Sequence, residues 1–347
     1  MRMSSDSNTY DTRRLHAIMA GSGDPYSVLT PLRKGLLRAF HDRLSLPDVA
    51  AAFGISAADV ERELEPLVTA SLAQEQNGHY QATFFIASCT ETLQVTAHAR
   101  GTGRLLAQRL LQGWDDIETA YKQLGVSHDY GFRDLAFLLV GDVILDVGLL
   151  DALAHDGTLM PAAPARPSPD HPDARYYFWM IEGDPDQLGW YGQCATAPLW
   201  KHWQLLTFGR YWIDGAPNVA RQALETKARE LLTANLADDP EALAEHLNIP
   251  LVNQEDARRW WQCAKSYTAD LLSVYRERAD TLKQLYTSLH ASTYAPYGFG
   301  EFFCWYDHVA YANANDVLAD AGVLTIPQHQ FIAALWHEEP DEDENGF

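Results

Sequence analysis

The chain has 347 residues, of which 47% are hydrophobic and 11% aromatic. This length predicts two or three domains with substantial cores, and the apolar content excludes a largely disordered chain. The formal net charge is −21, with 26 Lys and Arg residues against 47 acids, which opposes nonspecific binding to nucleic acid because phosphate contacts need cations.

No apolar run reaches the roughly 18 residues that a membrane-spanning helix needs. The most apolar stretch, residues 137–153, is interrupted by Asp142, Asp146 and Asp151. Residues 1–19 lack the apolar core of a secretory signal, so we expect a cytoplasmic location. The cysteines are far apart and form no CxxC pair, which predicts buried reduced thiols rather than disulfides or a zinc site; they are Cys89, Cys194, Cys263 and Cys304.

Residues 1–29 are predicted to form an N-terminal extension that contains a short helix from Thr12 to Ala20, broken by the Gly- and Pro-containing residues 21–25. A stronger helix begins at Thr30-Pro31, where a capping residue precedes a proline at the first helical position. Four basic residues give this helix region a positive face, which is either a solvated surface or a phosphate-contacting one: Arg33, Lys34, Arg38 and Arg43.

Residues 45–80 predict two short helices followed by a hairpin. The first apolar stripe stops at Gly54, which is free to adopt a positive φ and end a helix. Ser56 is placed to cap the next helix, which carries a second apolar stripe. Asn77-Gly78 then suits a type I′ turn between two short strands.

This order of helix, turn, helix and hairpin resembles the winged helix-turn-helix of ArsR/MarR-like transcriptional regulators over residues 30–90. The resemblance implies contact with double-stranded DNA and a homodimer built by long helices after the wing. The DNA-contact residues that it suggests are Lys34, Arg38, Ser56, Arg62, Asn77 and His79.

The second helix is unusual for a DNA reader, because four acids surround its one arginine, Arg62. Acids near a helix N-terminus also stabilise the helix through its dipole. The alternative is therefore a winged-helix interaction or scaffold module that does not bind DNA. The four acids are Asp59, Glu61, Glu63 and Glu65.

Residues 91–157 are predicted to be a helical connector and dimerisation region. Asp142 and Asp146 are four residues apart on one face of an otherwise apolar helix, a spacing that suits metal binding or a shared proton. The alternative is that they are partners of Arg104 and Arg109 at a helical interface. No sequence motif completes a metal site, so neither a metal nor a cofactor is expected.

Residues 158–174 contain five prolines in seventeen positions and are predicted to be a linker. Beyond it, residues 175–337 predict an α+β domain, and residues 338–347 an acidic tail. A small antiparallel sheet is expected from residues 174–181, 189–193 and 202–212. Helices are expected at 219–235, 240–247, 255–290 and 299–321, with an extended piece at 323–326, while residues 240–261 allow a second helix-turn-helix as an alternative.

Nine of the ten tryptophans follow the linker. Aromatic side chains line pockets for apolar or cationic ligands, although each alone is also typical of a core. We therefore expect a small-effector pocket in the C-terminal domain, with the densest region at residues 302–311. Its predicted members are Trp179, Trp190, Trp212, Trp260, Trp261, Glu301, Trp305, Tyr306, Asp307 and His308.

The expected fold is mostly α with small β: an N-terminal winged helix, long connecting helices and an aromatic-rich α+β domain. The expected function is a ligand-responsive transcriptional regulator. The alternatives are the interaction module and an enzyme with a site near Asp307 and His308. No nucleophile elbow, P-loop or dinucleotide fingerprint is present, so no reaction is indicated.

Overall fold

The computed structural model describes residues 10–76, 79–168, 170–184, 192–210, 216–233, 239–328 and 331–338. The fold is mostly helical with small sheets, as the sequence predicts. Within these ranges, none of the helices combines the length and the hydropathy that crossing a bilayer would require.

The chain divides into two compact units that each combine distant segments. Unit 1 contains residues 1–97, 157–189 and 278–306, and unit 2 contains residues 98–156, 190–277 and 307–347. This differs from the predicted division at the proline-rich residues 158–174. The predicted N-terminal extension and the start of the predicted C-terminal domain both belong to unit 1.

The sheet of unit 1 explains this difference. Strand β1 (Leu15–Ser22) pairs antiparallel with β5 (Arg175–Glu182) along all eight residues, and β4 (Phe85–Ala87) pairs parallel with β5. The prediction of a helix over Thr12–Ala20 is therefore wrong, since only Thr12–Arg14 forms a single 3₁₀ turn. Long-range pairing with β5 outweighs the local preference of these residues for a helix. The strand at 174–181 likewise does not join the sheet predicted for it.

Three helices and a hairpin follow in the predicted order. They are α1 (Pro31–His41), α2 (Leu46–Phe53), α3 (Ala57–Thr69) and the antiparallel pair β2 (Ala73–Gln76) and β3 (His79–Ala82). Thr30 caps α1 and Ser45 caps α2. Gly54 has a φ of 65° and ends α2, while the amide of Ile55 donates to the carbonyl of Ala50 at 3.1 Å.

Ser56 and Asp59 form a capping box at the start of α3. The Ser56 hydroxyl accepts from the Asp59 amide at 3.1 Å, and the Asp59 carboxylate accepts from the Ser56 amide at 3.3 Å. We expect Ser56→Ala to lower the free energy of unfolding of unit 1 by about 1 kcal/mol, because the first turn loses a hydrogen-bond acceptor. Urea denaturation measures this, with the exposed Ala58→Ser as a control that should change stability by less than about 0.5 kcal/mol.

The apolar faces of these helices pack on the sheet of unit 1. Val49 of α2, Val60 and Leu64 of α3, and Phe178 of β5 are fully buried in one cluster. Most positions of the predicted apolar stripes of residues 45–80 are thus confirmed as core, whereas Leu46 and Phe53 are half-buried and Val68 is exposed. Unit 1 also contains α11 (Ala279–Thr287) and a 3₁₀ turn at His290–Thr293.

Unit 2 is built on a four-stranded sheet with the order β6–β7–β9–β8. Its strands are β6 (Gly192–Trp200), β7 (Trp203–Arg210), β8 (Leu251–Val252) and β9 (Phe331–His337). Strand β9 was not predicted, because the extended piece was placed at 323–326. Its partner β7 lies over a hundred residues earlier, so the pairing has no local sequence signature.

The helices of unit 2 include a π-helix at Leu139–Gly148, flanked by α6 (Phe132–Leu138) and α7 (Leu149–Asp156). Most of residues 132–153 are buried, and the π-helix lies at their centre. The remaining helices are α5 (Trp114–Tyr121), α8 (Ala216–Leu231), α9 (Pro240–Leu247) and α10 (Gln254–Glu277). Two long helices, α4 (Cys89–Gln112) and α12 (Gly298–Asp320), contribute residues to both units.

The second helix-turn-helix considered for residues 240–261 is not formed. Helix α9 ends at Asn248, whose φ is 54°. Strand β8 then pairs parallel with β9 before α10 begins, and α10 is 24 residues long. A strand therefore occupies the position that a tight turn would need.

Candidate functional site

The predicted DNA-contact residues are largely engaged within unit 1. Arg38 is only 7% exposed, and its Nε donates to Glu182 at 2.8 Å, so its guanidinium is not on the surface where a phosphate would lie. Lys34 donates from Nζ to the carbonyl of Leu15 at 2.9 Å. Ser56 caps α3, and the exposed Arg62 pairs with Asp59.

The remaining two residues of that prediction lie in the hairpin. His79 is exposed at the start of β3, and Asn77 lies outside the described residues. The hairpin itself is present as β2 and β3. It therefore offers one described polar side chain of the predicted set to a partner.

The solvent face of α3 is acidic. Glu61 and Glu65 are exposed, the charge of Arg62 is matched by Asp59, and Glu63 is paired with Arg33 at 3.0 Å. Val68 lies on the same helix with 42% of its surface exposed. Because phosphate binding needs unneutralised cations, this face is unfavourable for DNA and favourable for a basic surface.

The predicted aromatic pocket is mostly core. Trp179, Trp260, Trp305 and Tyr306 are fully buried, and the indole of Trp260 donates to the carbonyl of Leu139 at 2.9 Å. Trp261 is half-buried, and Trp190 and Trp212 lie outside the described residues. The eight described members line none of the cavities described below. The four fully buried aromatic residues therefore contribute to packing.

Asp307 and His308, proposed from sequence as an enzymatic pair, are both buried. The hydroxyl of Tyr275 donates to Asp307, and the ring of His308 lies 5.1 Å from that of Tyr311. Burial raises the pKa of Asp307 well above its usual range, with the nearby charge of Asp146 acting in the same direction. The pair lies inside packed structure and does not border any of the three cavities.

Asp142 and Asp146 lie on the π-helix and are buried. Asp146 is not paired with a predicted arginine: its Oδ2 accepts from the hydroxyl of Tyr311 at 3.0 Å. Arg109, one of the predicted partners, pairs with Asp270. Burial raises the pKa of Asp146 to about 7, and burial together with the charge of Asp146 raises that of Asp142. Among the described residues no group of His, Cys, Asp and Glu is arranged to hold a metal ion.

A cavity in unit 1 lies against the C-terminal half of α3, and we refer to it as the α3 cavity. Its volume is about 440 Å³. Its walls come from α3, from the 3₁₀ turn at Pro25–Val28 and from residues 166–176. The lining residues include Glu65, Thr69, Arg166, Asp170 and Tyr176.

Arg166 is the buried charge of this cavity. Its Nη2 donates to Glu301 at 2.6 Å, and the two side chains are only 1% and 0% exposed. Glu301 also accepts from the amides of Phe85 at 2.7 Å and Phe178 at 3.3 Å. Burial raises the pKa of Glu301 to about 7, although Arg166 and the two amides act in the opposite direction.

A second cavity of unit 1, of about 330 Å³, contains a polar network around two histidines. The ring of His41 lies between Tyr294 at 2.7 Å and Glu91 at 3.2 Å, and Glu91 also accepts from the amide of His290 at 2.7 Å. Burial raises the pKa of Glu91, but the hydrogen bonds from His41, His290 and Ser88 outweigh it and hold the value at about 2. Both ring nitrogens of His41 are occupied, so the network is suited to holding structure together.

A cavity of comparable size in unit 2, about 420 Å³, is bordered by acids that include Asp129, Glu241 and Asp256. Asp256 accepts from the amides of Gly125 at 2.7 Å and Val126 at 3.0 Å. Its carboxylate is therefore used to cap a chain turn. The α3 cavity differs because the residues that line it include the buried Arg166, whose Nε and Nη1 have no hydrogen-bond partner in the described part of the chain.

Sequence reasoning missed Arg166, although it identified Glu301. Arg166 lies in the proline-rich residues 158–174, for which the sequence predicts a linker. The available indication was an arginine within an otherwise apolar and proline-rich run, followed by a strand. Its partner is 135 residues away, so the pairing needs the folded structure.

Comparison with protein-family models, with curated proteins and with solved structures finds no significant match to this chain.

Proposed function

We propose that unit 1 is a winged-helix interaction module whose α3 face binds a positively charged protein partner. The order α1, α2, α3, β2 and β3, with its capped turn, supports the winged-helix assignment. The acidity of the exposed α3 face is the observation that carries the choice of partner. Such a module would regulate through protein contacts, because it has the fold of a DNA-binding domain but not the positive surface that DNA binding needs.

The exposed Val68 strengthens this proposal. Protein interfaces combine an apolar centre with a polar rim, and the exposed Glu61 and Glu65 precede Val68 on the same helix. A basic surface would neutralise the rim while covering the valine. A DNA backbone would meet carboxylates at the same positions.

A DNA-binding regulator with a small effector, acting as a homodimer, is the second candidate. The specific observation in its favour is that a hairpin follows α3 directly, as a wing follows a reading helix. In this candidate Arg62 would leave Asp59 and contact a base or a phosphate. The exposed acids of α3 are unfavourable for this candidate.

One experiment separates the two candidates. Fluorescence anisotropy measures the binding of the full chain to a labelled Lys-rich helical peptide and to a labelled duplex pool, at about 50 and 200 mM salt. We expect Glu61→Lys to weaken peptide binding about fivefold, because an attractive charge becomes repulsive. The control is Glu230→Lys on α8 of unit 2, which makes the same change in net charge at an exposed position.

Equal losses for the two variants would show that only net charge matters and would contradict a docking face on α3. Micromolar binding to the duplex pool that Arg62→Ala abolishes would instead support the DNA-binding candidate. The basic-partner proposal expects no duplex binding by the wild-type chain at either salt concentration.

A further inference from the structure

The α3 cavity lies beside the acidic face of α3. Glu61, Glu65 and Val68 follow one another at helical spacing, which places them on one side of the helix. All three are exposed, and Glu65 also lines the cavity together with Thr69. The face of α3 that we propose for partner binding therefore extends to the edge of this cavity.

Part of the apolar surface of the cavity is accessible from outside. Val28, Pro66 and Ala70 line it and are only partly buried. The cavity volume of about 440 Å³ is in the range of sites that take small molecules, so it has room for an inserted side chain. Covering these residues with an apolar side chain is favourable, because both surfaces then leave water.

Three carboxylates of the cavity are exposed and have no cationic partner. Asp24, Glu65 and Asp170 line the cavity, and none of them forms an ion pair with a described residue. Arg166 does not offset them at the surface, because its side chain is 1% exposed and is paired with Glu301. A cationic group at the edge of the cavity would therefore be attracted.

We propose that the α3 cavity receives an apolar anchor residue of the protein partner, of about the size of leucine, while lysine or arginine residues next to this anchor contact Glu65 and Asp170. This inference rests on the proposed function and specifies the motif that the basic partner presents. An apolar cavity with carboxylates at its edge is complementary to an apolar side chain between basic ones. No covalent step is involved.

Other occupants match this surface less well. The phosphates of a nucleic acid would meet the three carboxylates, and a wholly apolar segment would bring them no counter-charge. A segment without an anchor residue would leave Val28 and Ala70 in contact with water. The basic segment with one apolar anchor satisfies both parts of the surface.

The test uses the full chain and labelled peptides in which a central residue has two lysines on either side. Fluorescence anisotropy at about 150 mM salt compares a central leucine with a central alanine. We expect the leucine peptide to bind saturably with a Kd below about 1 mM and the alanine peptide to bind about tenfold more weakly, because less apolar surface is covered. Equal binding would show that charge alone is recognised and would overturn the anchor.

Two further probes examine the charge of the motif. A leucine peptide with glutamates in place of the lysines should not bind, and binding equal to that of the lysine peptide would overturn the basic flanks. Spermidine has positive charges but no anchor side chain, so we expect it to bind at least tenfold more weakly than the leucine peptide. Equal affinity for spermidine would identify a general cation site and contradict the proposal.

Two acids in the same segment provide a matched pair of variants. Asp170 and Asp173 are both exposed, but only Asp170 lines the cavity. We expect Asp170→Lys to weaken binding of the leucine peptide at least fivefold and Asp173→Lys, which makes the same change in net charge, to leave it within about twofold. Equal effects of the two variants would place the peptide elsewhere and overturn the proposal.

A bulky substitution examines the apolar part of the cavity. Thr69→Trp places a ring at the cavity, whereas Ala52→Trp places it at an exposed position of α2 that does not line the cavity. We expect the tenfold preference for leucine over alanine to fall below about twofold in Thr69→Trp and to persist in Ala52→Trp. Circular dichroism checks that both variants are folded, and if Thr69→Trp is not, the peptide series with the wild-type chain decides.

The proposed function and this inference fail separately. Glu61→Lys tests the acidic face of α3, whereas the preference for leucine reports on the cavity. If Glu61→Lys weakens binding but leucine and alanine peptides bind equally, the face is supported and the anchor is overturned. If the preference disappears in Thr69→Trp while Glu61→Lys has no effect, the cavity is supported and the face is contradicted. A failure of every peptide to bind overturns both.

Discussion

Glu301→Ala is expected to lower the free energy of unfolding of unit 1 by about 3–5 kcal/mol. The substitution leaves the guanidinium of Arg166 buried without its counter-charge. It also removes the acceptor for the amides of Phe85 and Phe178, which belong to β4 and β5. The loss therefore combines an unpaired charge with two unpaired backbone donors.

Two measurements examine this effect. Urea denaturation gives the free energy of unfolding, and hydrogen exchange reports the amides of Phe85 and Phe178 individually. We expect both amides to lose protection in Glu301→Ala, while Glu61→Ala, an exposed acid of the same unit, leaves them unchanged. A stability loss below about 1 kcal/mol would show that the pair contributes little.

The double variant Arg166→Met/Glu301→Leu distinguishes the charge pair from its packing. Replacing both members of a buried pair with apolar residues is often neutral or stabilising, because no buried charge remains. We expect this variant to recover about half of the loss of Glu301→Ala or more, limited by the two amides that stay unpaired.

Local signals were sufficient to predict the α1–α3 region. Thr30-Pro31, Gly54 and Ser56 mark helix ends through interactions within a few residues, and each helix end forms as expected. Such contacts depend only on neighbouring sequence, so periodicity and capping chemistry locate them.

Pairings between distant segments were not predictable in the same way. The stretch Leu15–Ser22 has no strong strand pattern, and it is a strand because β5 lies opposite it, more than 150 residues later in the chain. The same reason hid the role of Arg166, whose burial depends on Glu301. Sequence pattern thus located the acid of this pair but not its partner, because a proline-rich run resembles a linker when its contacts are unknown.

The carboxyl pair on the π-helix shows an intermediate case. The spacing of Asp142 and Asp146 correctly indicated two acids on one buried face. The prediction that the two carboxyl groups share a proton required only that both be removed from water. The identity of their partners, Tyr311 and the amide and thiol of Cys194, could not be read from spacing, since α12 and β6 approach the π-helix only in the fold.

This pair leads to a prediction about pH. Burial raises the folded-state pKa of Asp146 to about 7 from an ordinary value of 3.8. The folded state therefore holds a proton that the unfolded chain releases near pH 4. The contribution of Asp146 to stability is complete below about pH 4 and is lost as the pH rises through about 7. This sign is opposite to that of Glu91, whose pKa is held at about 2 and whose contribution is lost in acid.

Asp146→Asn should remove this pH dependence. The amide oxygen can still accept from Tyr311 and from the amide of Cys194, but the residue no longer ionises. We expect the variant to be more stable than the wild type at pH 8 by an amount on the order of 4 kcal/mol, and the advantage to disappear toward pH 4. Urea denaturation of unit 2 across this range measures the difference between the two proteins, in which other titrating groups cancel.

Asp115→Asn is the control, because Asp115 is exposed at the start of α5 in the same unit. Its difference from the wild type should be small and nearly constant with pH. A difference for Asp146→Asn that is equally constant would mean that Asp146 stays ionised in the fold. In that case the charge of Asp146, next to Asp142, would be stabilised only by hydrogen bonds from Tyr311 and Cys194. Neutral hydrogen bonds rarely suffice to keep two neighbouring buried carboxylates ionised.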